Sequence, residues 1–287
     1  MKWKHWIAML AWAVLAGSGW LRDEVLPLAL PGFERRAVEF FVVFFVALFL
    51  CRGRVAWWWG SLCGVGLFLV PDLARMLPVP SLTQMALMGL VPVFTVVCAP
   101  YVLGEESGSS LKMLPLALCG VAGLFLLLPA DVPATWMSFA SFVGFCGCFV
   151  VVSWVGVHVW RGRKRVDVAG TLAGCCGPLA GCYALLSFFF EKPVFGWRIL
   201  APATLGGVVV ELPMLLIFFW MLREVDARRF SARFLFVPLV GLAEGWFFVR
   251  PVISLRMGFG ILFLAVGAVA VFGWRAREDV PLKVTSE

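Results

Sequence analysis

Between short polar breaks the chain runs in apolar blocks of about 17 to 26 residues. At roughly 1.5 Å per residue, a helix of that length crosses a hydrocarbon core of about 30 Å. Ten blocks can be drawn, at 3–20, 35–51, 55–71, 82–103, 112–129, 134–160, 168–190, 197–222, 231–249 and 254–274. Strand-like alternation of apolar and polar residues is absent, which disfavours a β-barrel. The connections are too short for a soluble domain of useful size. Residues are 62% hydrophobic and 14% charged, with a mean hydropathy of +0.97, against roughly 45–50% and 25% in soluble domains. The expected fold is therefore an all-α integral membrane protein of ten transmembrane helices, acting inside or across a bilayer.

The N-terminal MKWKHWIAMLAWAVLAGSGW has the charge and apolar run of a signal peptide. It is read here as the first helix, because cleavage would leave nine and break the two-half pattern described below. The net charge of +7 matters loop by loop, since Lys and Arg near span ends set topology. With the N-terminus in the cytoplasm, 16 of the 24 basic residues fall inside and 8 outside. That bias predicts a multi-pass cell-membrane protein, by default of the bacterial inner membrane, with both termini cytoplasmic. The run RGRKR at 161–165 then reads as an inside loop obeying the charge bias, and no nucleic-acid partner is expected. Nine cysteines lie at or within predicted spans without zinc-like spacing, and read as reduced packing residues. No metal and no cofactor is expected.

The stretches VPVFTVVCAPYVLGEES (91–107) and VPLVGLAEGWFFVRPVI (237–253) both start on Val-Pro, run apolar, and end in a polar break. Their offset, from Pro92 to Pro238, is 146 residues, about half the chain. Each is followed by a glycine-spaced helix, CGVAGLFLLL (119–128) and FGILFLAVGAVAVF (259–272). The chain so divides into a first repeat at 1–130, a second at 131–275 and a cytoplasmic tail at 276–287. Five is odd, so the second repeat enters from the opposite face. Inverted repeats mark many alternating-access transporters, which bind substrate near the midplane between the halves; a duplication kept only for packing is the plainer alternative.

In these features the chain resembles the drug/metabolite transporter superfamily, in particular its ten-helix EamA-type members, from about Trp3 to Trp274. The resemblance rests on the Pro92 helix ending in Gly104-Glu105, the matching Pro238 helix, Ile253-Ser254 followed by Gly260 and Gly267, and an Arg at the start of the second helix, Arg35 or Arg36. Two features depart from the pattern: Arg250-Pro251 stands where the second copy would carry the glutamate, and the loop EESGSSLKM is about two residues long for the family. They leave the fold expectation intact and assign no subfamily.

Intramembrane carboxylates cost about 2.5–3.5 kcal/mol on insertion scales and normally face a partner or a wet cavity. In VVVELPMLL (208–216), Glu211 lies 14 residues from Trp197 and 11 from Leu222, mid-bilayer. Pro213 lacks an N–H and leaves the carbonyl of Val209 free, which marks a polar pocket wall. Glu211 is the leading candidate to bind a cationic part of substrate or to carry a proton; a neutral, hydrogen-bonded structural carboxyl is the alternative. Glu244, beside Gly245 and Trp246, is the second candidate. Glu39 pairs by spacing with Arg35 on a helix surface or helps admit substrate. Tyr101 and Tyr183, the only tyrosines, stand near Pro100 and near the Gly177-Pro178-Gly181 cluster, and are further candidates for substrate contact. Pro92, Pro238 and Pro213 are expected as helix breaks that permit gating.

The function expected is a secondary transporter moving a small polar or amphiphilic metabolite by alternating access. With no basic residue evident deep in a span to match the acids, an amino acid or amine, exported, is the first substrate expectation. Its partners are that small molecule and the lipid bilayer, with a coupling proton and a second copy of the chain as a homodimer left open. An intramembrane enzyme acting on a lipid or polyprenyl carrier would ordinarily show paired aspartates, a histidine constellation or a metal cluster; only His5 and His158 are present. A non-transporting membrane assembly subunit is the third class.

Overall fold

The computed structural model describes residues 3–17, 32–75, 88–103, 111–127, 136–162, 167–192, 194, 197–249 and 254–274. Gly104-Glu105, the EESGSSLKM loop through Ser110, Arg250-Pro251, Ile253 and the tail lie outside these residues. Counted across two π turns and one non-helical residue, the described residues form ten helices in the expected order. These are α1 (Trp3–Gly17), α2 (Gly32–Leu50), α3 (57–75), α4 (Val91–Leu103), α5 (Leu114–Leu127), α6 (Trp136–Gly162), α7 (Val168–Phe190), α8 (197–224), α9 (227–249, interrupted at Ala232) and α10 (Leu255–Gly273).

Five described stretches are long and apolar enough to cross a membrane: Trp136–Ser153, Val168–Phe190, Leu200–Glu224, Ala227–Phe247 and Leu255–Gly273. Helix α2 is 19 residues long but opens on Glu34, Arg35, Arg36 and Glu39, a charge load that matters below. The outer surface is apolar. Phe49 is 90% exposed, Trp58 91% and Phe188 to Phe190 at least 70%, a surface that suits lipid and would make a soluble protein aggregate. Of the tryptophan run that suggested interfacial anchoring, Trp57 and Trp58 are exposed and Trp59 is buried. All nine cysteines are free.

Helix ends in so greasy a chain need partners for their unpaired backbone groups. Asp167 caps α7 by accepting from the Gly170 N–H, and also accepts from the Arg52 N–H at 3.1 Å, which holds the end of α2 beside the start of α7. At the opposite end Glu191 accepts from Phe33 and Glu34 N–H at 3.0 and 3.1 Å, and Glu34 accepts from Val194 N–H at 2.8 Å. The two helices are thereby tied antiparallel at both ends. Lys4 and Glu224, 3.2 Å apart, bring the start of α1 to the end of α8. Ser254 caps α10 through the Met257 N–H.

Close packing follows small residues, as expected where lipid offers no hydrophobic drive to associate. Gly120 and Gly123 of α5 meet Gly260, Leu264 and Gly267 of α10 so closely that a Cβ on Gly267 would lie 2.3 Å from the Gly120 Cα. The glycine-rich α7 is closely packed and helical straight through Pro178, with Gly174 against Ala56 and Gly60 at the start of α3. Across the molecule α2 packs on α7 and α5 on α10; α1 packs on α8 and α9, and α6 on α3 and α4.

Two helices carry the same irregularity. In α3, π turn Val65–Leu69 precedes Val70-Pro71-Asp72; in α8, π turn Gly207–Glu211 precedes Leu212-Pro213. The N–H of Val70 donates to the Val65 carbonyl, and that of Leu212 to the Gly207 carbonyl. A proline clashes with the carbonyl four residues back and donates no hydrogen bond, so the turn before it widens by one residue. The widening turns the following side chains by about 100° relative to a regular helix.

Candidate functional site

The second turn of α2 crosses α8 at that π turn. Gly207 gives the backbone room: a Cβ there would lie 3.1 Å from the Glu39 carbonyl oxygen. Glu39 is consequently only 1% exposed, and Glu211, at the end of the π turn, 4%. Between them lies Arg36. Its Nη1 is 2.9 Å from Glu211 Oε1, where it donates a hydrogen bond, and 3.5 Å from Glu39 Oε2. Its Nε is 3.8 Å from Asp72 Oδ2 on α3. Tyr183 of α7, fully buried, donates its hydroxyl to Asp72 at 2.6 Å. Arg35 flanks the group, 3.8 Å from Glu39 Oε1. Four helices thus converge on one guanidinium shared by three carboxylates.

Glu211, Glu39 and Tyr183 are brought together. The expectation that the deep acids have no basic partner is corrected: the side chain of Arg36, rooted in the second turn of α2, reaches Glu211. Asp72 escaped sequence reasoning because it sits near the end of its span, where a charge needs no explanation. Its signal was Val70-Pro71-Asp72, a carboxylate beside a proline, as in Glu211-Leu212-Pro213.

The other candidates lie elsewhere. Tyr101 is 86% exposed on α4, and nothing described links it to the cluster. Glu244 is half-buried on α9 with one carboxylate oxygen unbonded, also without a described link. Pro92 is the second residue of α4, where a proline fits the first turn without breaking it. Pro238 lies inside α9, and Pro213 follows the π turn. Among the described residues no group of three or more His, Cys, Asp or Glu side chains could hold a metal ion.

From the cluster a file of rings runs inward. Tyr183 stacks on Phe40 at 5.5 Å and 5°, Phe40 meets Phe68 at 5.9 Å, Phe68 meets Phe218 at 5.7 Å, and Phe218 meets Phe230 at 5.2 Å. The file joins α7, α2, α3, α8 and α9 ring to ring.

The lipid-compatible surface, apolar helices and buried ionic cluster define an all-α, multi-pass membrane protein. No protein-family model matches the chain. It is similar to a Bacillus subtilis (strain 168) protein named uncharacterized transporter YoaV, 25% identical over 182 residues, which are 62% of this chain and 61% of that one. The chain thus spans about six-tenths of the length of this curated relative. In fold it is similar to a protein of solved crystal structure, with a TM-score of 0.72, 94% of this chain and 96% of that chain covered, at 18% identity.

Proposed function

We propose that the chain is a secondary transporter that moves a small polar or amphiphilic metabolite by alternating access, with an amino acid or amine, exported, as its first cargo. The observation that carries this reading is the Arg36 cluster. A guanidinium held by Glu211, Glu39 and Asp72 is a cation in a place that another cation can take. A cargo ammonium reaching Glu211 competes with Arg36; when the cargo leaves, Arg36 closes the pair again, so the carboxylates are never stranded without a counter-charge. Protonation of one carboxylate frees Arg36 in the same way, which is how a proton gradient couples to the cycle.

Support for two inverted halves comes from the packing partners. Helices five apart in order pack on each other, α2 on α7 and α5 on α10, and the contacts of α1 with α8 and α9 mirror those of α6 with α3 and α4. The π turns of α3 and α8 occupy matching places in the two halves. The similarity to a protein named as a transporter points the same way.

Counterflow of labelled amino acids and amines in proteoliposomes tests the reading. Exchange is expected from the wild-type chain and is expected to fall at least tenfold in Glu211→Gln, which keeps shape and removes charge. Wild-type exchange by Glu211→Gln rejects the role of the cluster. No exchange of any metabolite by folded protein turns the reading toward the enzyme or the assembly subunit.

A further inference from the structure

The ring file ends on a buried cation. Arg233, at the start of the long part of α9, is 5% exposed. Five rings surround its guanidinium: Phe230 at 4.5 Å, Phe218 and Phe234 at 4.6 Å, Phe149 at 4.8 Å and Trp12 at 5.5 Å from the ring centroids. They come from α1, α6, α8 and α9. A planar guanidinium offers two faces for stacking, so the remaining rings meet its edge, where its N–H donors point. Among the described residues neither Nε nor Nη1 has a hydrogen-bond acceptor, and no carboxylate pairs with Arg233. An arginine near a helix end in a membrane ordinarily extends toward water, as the exposed Arg223 does. Arg233 instead turns into the interhelical space, where ring faces offset part of the cost of burying charge and leave Nε and Nη1 without an acceptor.

Its place is on the ring file that begins at the acidic cluster, seven residues beyond Glu211 along α8 at Phe218. We infer that Arg233 is a second binding station, which takes the carboxylate of the cargo when the rings part, and that the cargo is a monocarboxylate with an apolar or aromatic body. The guanidinium fork matches the two oxygens of a carboxylate. A single cation balances a single negative charge, which favours a carboxylate over a phosphate dianion, and the surrounding rings suit an apolar body. The inference rests on the transport reading and narrows it: an amino acid engages the two stations in turn, its ammonium at Glu211 and then its carboxylate at Arg233, because the seven residues of α8 from Glu211 to Phe218 rise about 10 Å, whereas a plain amine engages one.

The test uses the purified full-length chain and four probes of one body: phenylalanine, phenylacetate, phenethylamine and 2-phenylethanol. Phenylalanine and phenylacetate are expected to raise the melting temperature of the wild type. Arg233→Lys is expected to weaken both about tenfold by losing the fork. Arg233→Met is expected to abolish the phenylacetate shift, cut that of phenylalanine to no more than that of phenethylamine, leave that of phenethylamine, and melt no lower than wild type, because it removes an unpaired buried cation. A residue that merely holds the rings together gives the reverse, a lower melting temperature with carboxylate shifts intact. A phenylacetate shift that survives Arg233→Met, equal shifts from phenylacetate and 2-phenylethanol, or no shift from either carboxylate overturn the inference. If Arg233→Met does not fold, unchanged carboxylate affinity in Arg233→Lys overturns it. Phenylalanine counterflow in proteoliposomes separates the two readings. Wild-type exchange unaltered in Arg233→Met removes Arg233 alone, whereas carboxylate shifts without any exchange remove transport and leave a carboxylate site.

Discussion

Three carboxylates from three helices hold the guanidinium of Arg36, and each is in reach because a local feature bends it inward. Glu39 is one turn along α2 from Arg36, while Asp72 and Glu211 each stand beside a π turn. Removing the cation leaves like charges facing one another in a poorly solvated place. Arg36→Met is expected to cost about 3 kcal/mol, and Arg36→Met with Glu211→Met to cost less than the sum of the single changes. Denaturant unfolding in detergent measures both; strict additivity would show that the 2.9 Å pair contributes nothing. Glu211 was legible in the sequence because a carboxylate deep in an apolar run is expensive wherever it points. Arg36 and Asp72 were not, because a charge near a span end is inexpensive and only packing turns it inward. Arg233 counted in the sequence only as one more basic residue near a span end.

At the scale of helices, glycine spacing and proline position carry most of the information. The resemblance of 119–128 to 259–272 noticed in the sequence becomes, in the fold, the seam between α5 and α10. Gly267→Ala is expected to destabilise by about 1–3 kcal/mol, since backbone on both sides must move. Gly147→Ala, whose Cβ would meet nothing within 4 Å, is expected to be neutral or to stabilise by up to about 1 kcal/mol through helix propensity. Thermal unfolding of the two variants side by side checks the contrast, and equal effects would mean the seam is not tightly packed. Prolines behave differently from one another. Pro92 sits in a first turn, where its missing donor costs nothing, Pro71 and Pro213 each follow a widened turn, and Pro178 stands inside α7 without one.

On the scale of the molecule, the helix pairs α2 with α7 and α5 with α10 join residues on opposite sides of position 130. Part of the surface buried on either side of position 130 is therefore covered by helices from the other side. Expressed separately, residues 1–130 and 131–275 are each expected to aggregate or be degraded; co-expressed, they are expected to purify together and melt cooperatively. Monodisperse, folded material from one half alone would count against the two-half organisation. Reporters fused to each end are expected to lie on the cytoplasmic side, following the 16 to 8 division of basic residues.

The sequence by itself determined that the chain lives in a bilayer, where its helices run and which carboxylate needs an explanation. These are properties of a window of twenty neighbouring residues, because the cost of moving a segment into hydrocarbon is a sum over that segment. Only the tertiary structure decided that Arg36, Asp72, Tyr183 and Glu211 form one cluster and that Arg233 is walled by rings. Those partners lie as many as 175 residues apart in the chain. Their meeting depends on a glycine that lets two backbones approach and on two prolines that rotate a helix face. No local sum contains either effect.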